Sequence, residues 1–282
     1  MGIPGFIKRH QVLTYFVLAF AISWVAVFAV AWPKFSRGET LGFNDALLMF
    51  LPTLAGPSIA GIALTTIVDG RDGLRDLFSR MGRWRVGWRW YSAVLVFPIL
   101  ILAVLLALTT VLSPSFAPYF FPAGIAIGAF SGFFEEIGWM GYAYPRMQSR
   151  LSALAAAILL GLLHSAWHFV PDFLGASGAR GIYWLPHFAM FGISMTAMRV
   201  LVVWVYANTR SVLLSQLMHA SSTGFLSILV PLSFSPQADT IFYALYGIVL
   251  WAVVALLVAK YGRHLLQRLA DRASLSAAEP GV

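Results

Sequence analysis

A chain of 282 residues that is 60% hydrophobic and 11% charged, with a mean hydropathy of +0.80, lies outside the range of soluble domains, which are roughly a quarter charged. It reads as an all-α polytopic membrane protein, and the absence of cysteine excludes disulfides, thiolate metal sites and a cysteine nucleophile. The net charge of +8 comes from arginines placed between apolar blocks, where they set topology and do not bind nucleic acid.

The apolar sequence divides into eight blocks of about 20 residues, the length that crosses about 30 Å of hydrocarbon. A basic lead with Lys8, Arg9 and His10 precedes the first span, Val12 to Trp32. That run is longer than a signal-peptide core of about 7 to 15 residues and has no small-x-small cleavage site after it, so it is retained as a span. The turn Pro33 to Leu41 leads to a second span, Asn44 to Val68. In the polar stretch Asp69 to Arg89, Arg71, Leu74, Phe78 and Met81 have the spacing of an amphipathic helix lying on anionic lipid. Span three is Trp90 to Leu112, and the turn Ser113 to Pro118 leads into span four with Glu135 and Glu136. Span five is Leu151 to Val170, ended by Pro171, and the Gly/Ser-rich stretch Gly175 to Gly181 reads as a loop. Tyr183 to Tyr206, Val212 to Leu232 and Ile241 to Tyr261 complete the set, followed by a polar, Ala-rich, frayed tail.

Basic residues test the count. Lys8, Arg9, the Arg71 to Arg89 group, Arg146, Arg150, Arg210, Lys260, Arg263, Arg268 and Arg272 fall on one side, against Lys34, Arg37 and Arg180 on the other. This bias orients both termini to the cytoplasm, in the plasma membrane of a prokaryote. No repeat divides the chain, which is read as one integral-membrane domain over 1–282.

Three spans contain polar side chains that hydrocarbon should exclude: Glu135 and Glu136 on the fourth, His164 and His168 on the fifth, and His219 followed by Ser221, Ser222 and Thr223 on the seventh. Alone, a Glu pair is a structural knot or a proton site, and a single His is a hydrogen-bonding partner. Together, a carboxylate and imidazoles can bind a water, remove its proton and pass that proton to a leaving amine. His164 and His168 share a helix face, which also suits two metal ligands. His10, His187 and His264 lie near span ends and read as interfacial.

Glu135-Glu136-Ile-Gly-Trp-Met-Gly-Tyr-Ala-Tyr-Pro-Arg146, Leu163-His-Ser-Ala-Trp-His168-Phe-Val-Pro171 and the segment Trp204 to His219 resemble the three motifs of the CPBP family, the CAAX proteases and bacteriocin-processing enzymes, also called Abi. The resemblance implies an intramembrane glutamate- or metallo-type endopeptidase with a core at about 118–235, similar to the type II CAAX prenyl endopeptidase. It implies Glu135 as general base on the attacking water, His168 as a second holder of that water, and His219 with Thr223 at the oxyanion positions. Glu136, about 100° around the helix from Glu135, cannot face the same water.

Three positions depart from the family pattern: Met140 stands where Arg is usual, His164 where Phe is usual, and Thr223 where Asn is usual. Without the Arg, Glu136 lacks a partner, and Arg199 in span six lies at a matching depth to replace it. By depth from the cytoplasmic end, His164 matches Glu135 better than His168 does, although the motif favours His168. His164, Arg199 and Trp139 are thus the supporting residues. A reaction without a metal is preferred; zinc on Glu135, His168, His219 and His164 is the alternative. The partners implied are membrane lipid and a membrane-bound or lipidated peptide, and the sequence specifies no oligomeric state. The rival readings are a catalytically silent immunity or scaffold protein and a proton-coupled transporter; the transporter would favour inverted repeats, and none is seen.

Overall fold

The computed structural model describes residues 3–39 and 41–266, so the tail expected to fray lies outside the described residues. Among the described residues every regular element is helical. A short helix α1 (Ile3–Arg9) leads into α2 (Gln11–Phe35) and α3 (Phe43–Met81), and α4 (Trp88–Ser92) passes through a 3-10 turn into α5 (Val96–Val111). Next come α6 (Gly124–Gly138), a π turn at Trp139–Ala143, α7 (Tyr144–Gln148), α8 (Ala153–Trp167) and α9 (Phe169–Arg180). Three long helices follow, α10 (Trp184–Thr209), α11 (Val212–Leu229) and α12 (Pro236–Tyr261).

Among the described residues, six helical stretches are long and apolar enough to cross a membrane: Gln11–Phe35, Asn44–Met81, Trp88–Val111, Phe169–Thr209, Val212–Leu229 and Pro236–Tyr261. The expected count of eight is therefore not established. The two segments that fall short are the Glu-bearing one, divided by its π turn, and α8, whose 15 residues span about 22 Å at 1.5 Å per residue.

Side-chain and backbone bonds sort the helix ends into two groups. Arg146 of α7 bonds Gln11 and Asp69, Ser211 donates to the Arg83 carbonyl, and Asn208 donates to the Leu265 carbonyl. These bonds gather the start of α2 and the ends of α3, α7 and α10 at one basic end. At the other end Arg180 pairs with Asp239 at 3.0 Å, and the Tyr119 N–H donates to the Leu229 carbonyl.

Several local expectations are corrected. The stretch Gly175 to Gly181 is not a loop; α9 continues through it to Arg180, and the chain turns only at Gly181, whose φ of 53° suits a residue without a Cβ. Pro171 does not end a span either, because it sits in the first turn of α9, where its missing N–H is not needed. The Arg71 to Met81 arm follows a break at Gly70 (φ 65°, ψ −150°) and touches the bundle along one side. Leu77 is its buried residue and Phe78 is exposed, while Arg80 donates to the Tyr206 hydroxyl and the Gly141 carbonyl. His187, read as interfacial, is buried with its Nδ1 3.3 Å from Asp239.

Helix α6 is brought to the centre by glycine. Gly124, Gly128 and Gly132, spaced four apart, lie on α11, where a Cβ would collide with Ile228, the Ala220 carbonyl and the Gln216 carbonyl respectively. Small residues at this spacing let two backbones approach closely in a membrane. That approach sets Glu135 and Glu136 beside His219.

Candidate active site

Glu135 and Glu136 occupy the last turn of α6 and are both buried. The Trp139 N–H is shared between the carbonyls of the two glutamates as the helix passes into its π turn. Such turns are frequent at functional sites because they re-aim side chains.

The two carboxylates face different surroundings. Glu135 lines a cavity of about 460 Å³ together with Ser131, His168, His219, Ser222 and Thr223. Glu136 points into the packed interior, where Arg199 Nη1 donates to both of its oxygens at 2.7 and 2.8 Å. Arg199 is itself fully buried, so the partner sought for Glu136 in place of Met140 is present on α10. Because a carboxylate paired with a guanidinium accepts, the contact at 2.6 Å is a donation from His219 Nδ1 to Glu136 Oε1.

The same logic fixes His164. Arg199 Nη2 lies 2.7 Å from His164 Nδ1, and arginine has donors only, so Nδ1 accepts and the ring proton sits on Nε2. Nε2 then donates to Glu135 Oε2 at 2.7 Å, and Trp139 Nε1 donates to the same oxygen at 3.2 Å. Both donors fall on Oε2, leaving Oε1 with no protein donor among the described residues. One carboxylate oxygen is anchored and the other is free for a ligand in the cavity.

Every site residue singled out in the sequence lies in this region, in two tiers. Glu135, His168, His219 and Thr223 line the cavity, and Glu136, His164, Arg199 and Trp139 stand behind them. His164, and not His168, makes the direct bond to Glu135. His168 caps the C-terminus of α8, with its ring centroid 5.2 Å from that of His164. His219 Nε2 lies 3.9 Å from Glu135 Oε2, at the limit of an ion-pair contact.

Sequence reasoning missed the aromatic packing around these groups. Tyr15 of α2 sets its ring 5.6 Å from that of Trp139, and Trp167, 5.7 Å from Trp139, lines the cavity. A Tyr in a first span gives no sequence signal, whereas Trp167 adjoins His168 in the second motif. The far end of the cavity was also missed: Asp172 and Arg180, paired at 3.2 Å, are part of its wall.

The long apolar helices make this an integral, multi-pass membrane protein. Residues 117–225 match the family described as type II CAAX prenyl endopeptidase Rce1-like. The chain is also 26% identical over 229 residues to a CAAX prenyl protease 2 of Methanococcus maripaludis, covering 75% of this chain and 82% of that protein. These likenesses support a peptidase similar to the CPBP/Rce1-like proteases.

Proposed function

We propose that the chain hydrolyses a peptide bond of a membrane-associated peptide with a water activated by Glu135 and His168. The observation that carries this reading is the asymmetry of Glu135, whose Oε2 takes both protein donors while its side chain lines the cavity. A water bound between Oε1 and His168 attacks the scissile carbonyl carbon and gives its proton to Oε1. The tetrahedral oxyanion forms toward His219 and Thr223. When the C–N bond breaks, Glu135 returns the proton to the leaving amine, giving one new carboxylate and one new amine.

Geometry supports the assignment of His219: its Nδ1 is held by Glu136, which leaves Nε2 as the ring nitrogen turned to the oxyanion. Arg199 also answers the Met140 departure, which would otherwise favour a silent protein. Thr223 keeps one hydroxyl donor where the family's Asn has two.

The donor set disfavours zinc. Ligand atoms of Glu135, His164 and His168 come within 4.8 Å of one another, the arrangement a metal requires. A metal ligand must present a lone pair, yet His164 Nδ1 receives the Arg199 N–H and Nε2 carries its proton toward Glu135. Turning the tautomer would set two donors against each other at 2.7 Å, with a guanidinium beside the cation. Full cleavage in a preparation that elemental analysis shows to be metal-free is the expected result.

The named relative is a CAAX prenyl protease, and by that likeness a lipidated peptide is one substrate class for this site. Incubating purified wild type, Glu135→Ala and His168→Ala proteins with a peptide library tests the reaction. Wild type alone should cleave, and cleavage that survives both substitutions would refute the assignment.

A further inference from the structure

Two cavities lie at the end of the bundle that carries Arg146, and their charges differ. One, of about 430 Å³, is lined by Arg80, Arg83, Arg146 and Arg210 but also by Asp69 and Asp76. Asp69 bonds Arg146 and Asp76 bonds Arg80, so this cavity's own carboxylates offset part of its positive charge. The other, of about 480 Å³, lies between the junction of α1 with α2 and the turn from α7 to α8. Lys8, Arg9, Arg146 and Arg150 line it together with His10, and no carboxylate among the described residues does.

Arg146 is committed to Gln11, Asp69 and the Tyr142 carbonyl. Lys8, Arg9 and Arg150 are exposed, and among the described residues none of the three has a carboxylate within ion-pair distance. Like charges gathered on one cavity repel one another, and an anion brought among them is attracted by all three. The remaining wall is apolar. Val12, Leu13 and Phe16 come from the first turns of the membrane-spanning helix Gln11–Phe35, and Leu163 comes from α8. Leu13 and Val17, one turn apart, continue that wall as an exposed apolar face of α2. Cations thus stand at the start of a span and apolar side chains follow directly, the order of a phospholipid from headgroup to acyl chain.

We propose that this cavity is the seat of one anionic phospholipid, its headgroup phosphate held by Lys8, Arg9 and Arg150 and an acyl chain laid along Leu13 and Leu163. Basic pockets between membrane helices take anionic headgroups in this way. Charge favours this occupant over a zwitterionic lipid, whose own cation would stand among the three. The seat adjoins the Glu135 site without being part of it. The Phe16 ring lies 5.9 Å from that of Trp139, which donates to Glu135, and Leu163 precedes His164 in α8. A lipid bound here braces α2 against α8 and stabilises the folded chain by mass action.

The test uses the full chain purified in an uncharged detergent and titrated with phosphatidylglycerol, with phosphatidylcholine of the same acyl chains, or with inorganic phosphate. Native mass spectrometry counts bound lipid, and the thermal unfolding midpoint is followed in parallel. Wild type should hold one phosphatidylglycerol, gain stability from it, and take phosphatidylcholine more weakly. The triple variant Lys8→Gln/Arg9→Gln/Arg150→Gln should bind phosphatidylglycerol about 10²-fold more weakly, since each basic residue near an anionic lipid surface contributes about fivefold. Its unliganded midpoint should match wild type, because all three side chains are exposed. Arg71→Gln/Arg75→Gln/Arg85→Gln loses the same charge outside the cavity and should bind as wild type does. Equal weakening in both triple variants means that net charge alone attracts the lipid and overturns the proposal, as does equal binding of the two lipids. Inorganic phosphate that stabilises wild type as strongly as phosphatidylglycerol makes this a free-anion site and overturns the lipid assignment.

Discussion

The half of the bundle toward Arg180 and the half toward Arg146 are built from the same helices but solve different problems. In the half toward Arg180, α3, α9, α10, α11 and α12 stand around a cavity of about 460 Å³ in which the walls are largely apolar and the polar groups converge at Glu135. In the half toward Arg146 the π turn and α7 bury Trp139, Met140, Tyr142, Tyr144 and Met147, and the cavity of about 430 Å³ at that end is lined by Gly141 and Tyr206 and does not include Glu136. Glu135 and Glu136 mark the border. The first is half-committed, with one oxygen held by His164 and Trp139; the second is fully committed to Arg199 and His219. Adjacent residues of a helix point about 100° apart, so a Glu-Glu pair at this border supplies one carboxylate to each half.

The comparison is broken most severely from the side of Glu136. Arg199→Leu leaves Glu136 buried without its cation and should cost about 3–5 kcal/mol of stability, measured by thermal or denaturant unfolding in detergent. Placing the cation at the family's usual position, in the double variant Arg199→Leu with Met140→Arg, should recover part of that loss. Gly128→Leu should be next, because its side chain has no room against the Ala220 carbonyl and must force α6 off α11. We expect loss of about 1–3 kcal/mol from overpacking, together with loss of cleavage.

From the side of Glu135 the effects are on rate. Thr223→Val removes a hydroxyl from the cavity with little change of shape and should lower kcat by about 10²-fold, with KM little changed, as for removal of one oxyanion donor. Trp139→Phe removes one of two donors to Glu135 Oε2 and should cost about 1 kcal/mol, seen as a smaller loss of rate. The smallest effect should come from Asp72→Ala, whose pairing with Arg75 at 3.4 Å is solvent-exposed, with a change in stability below about 0.5 kcal/mol.

Much of this division was legible in the sequence because it follows from cost. Carboxylates and imidazoles in hydrocarbon stand out, and the missing cation at Met140 pointed to Arg199, which the fold sets within 2.7 Å of Glu136. The relation between His164 and His168 was less legible. Depth favoured His164 and the motif favoured His168, and the bundle uses both, one bonded to Glu135 and one on the cavity wall. What periodicity missed were local breaks. A π turn shortens the helical run after Glu136, Gly70 redirects an arginine-rich arm onto the bundle, and a glycine- and serine-containing segment stays helical as α9. In each case tertiary packing outweighed local propensity.

The most direct test is to compare Glu135→Gln with Glu136→Gln in the same peptide-cleavage and unfolding assays. The account expects Glu135→Gln to unfold near the wild-type midpoint while losing about 10²- to 10⁴-fold in kcat, because only the base is removed. Glu136→Gln should instead lose about 3–5 kcal/mol of stability, because Arg199 is left buried without a counter-charge. The reverse pattern, with Glu135→Gln active and Glu136→Gln stable but silent, would contradict the assignment of the two carboxylates.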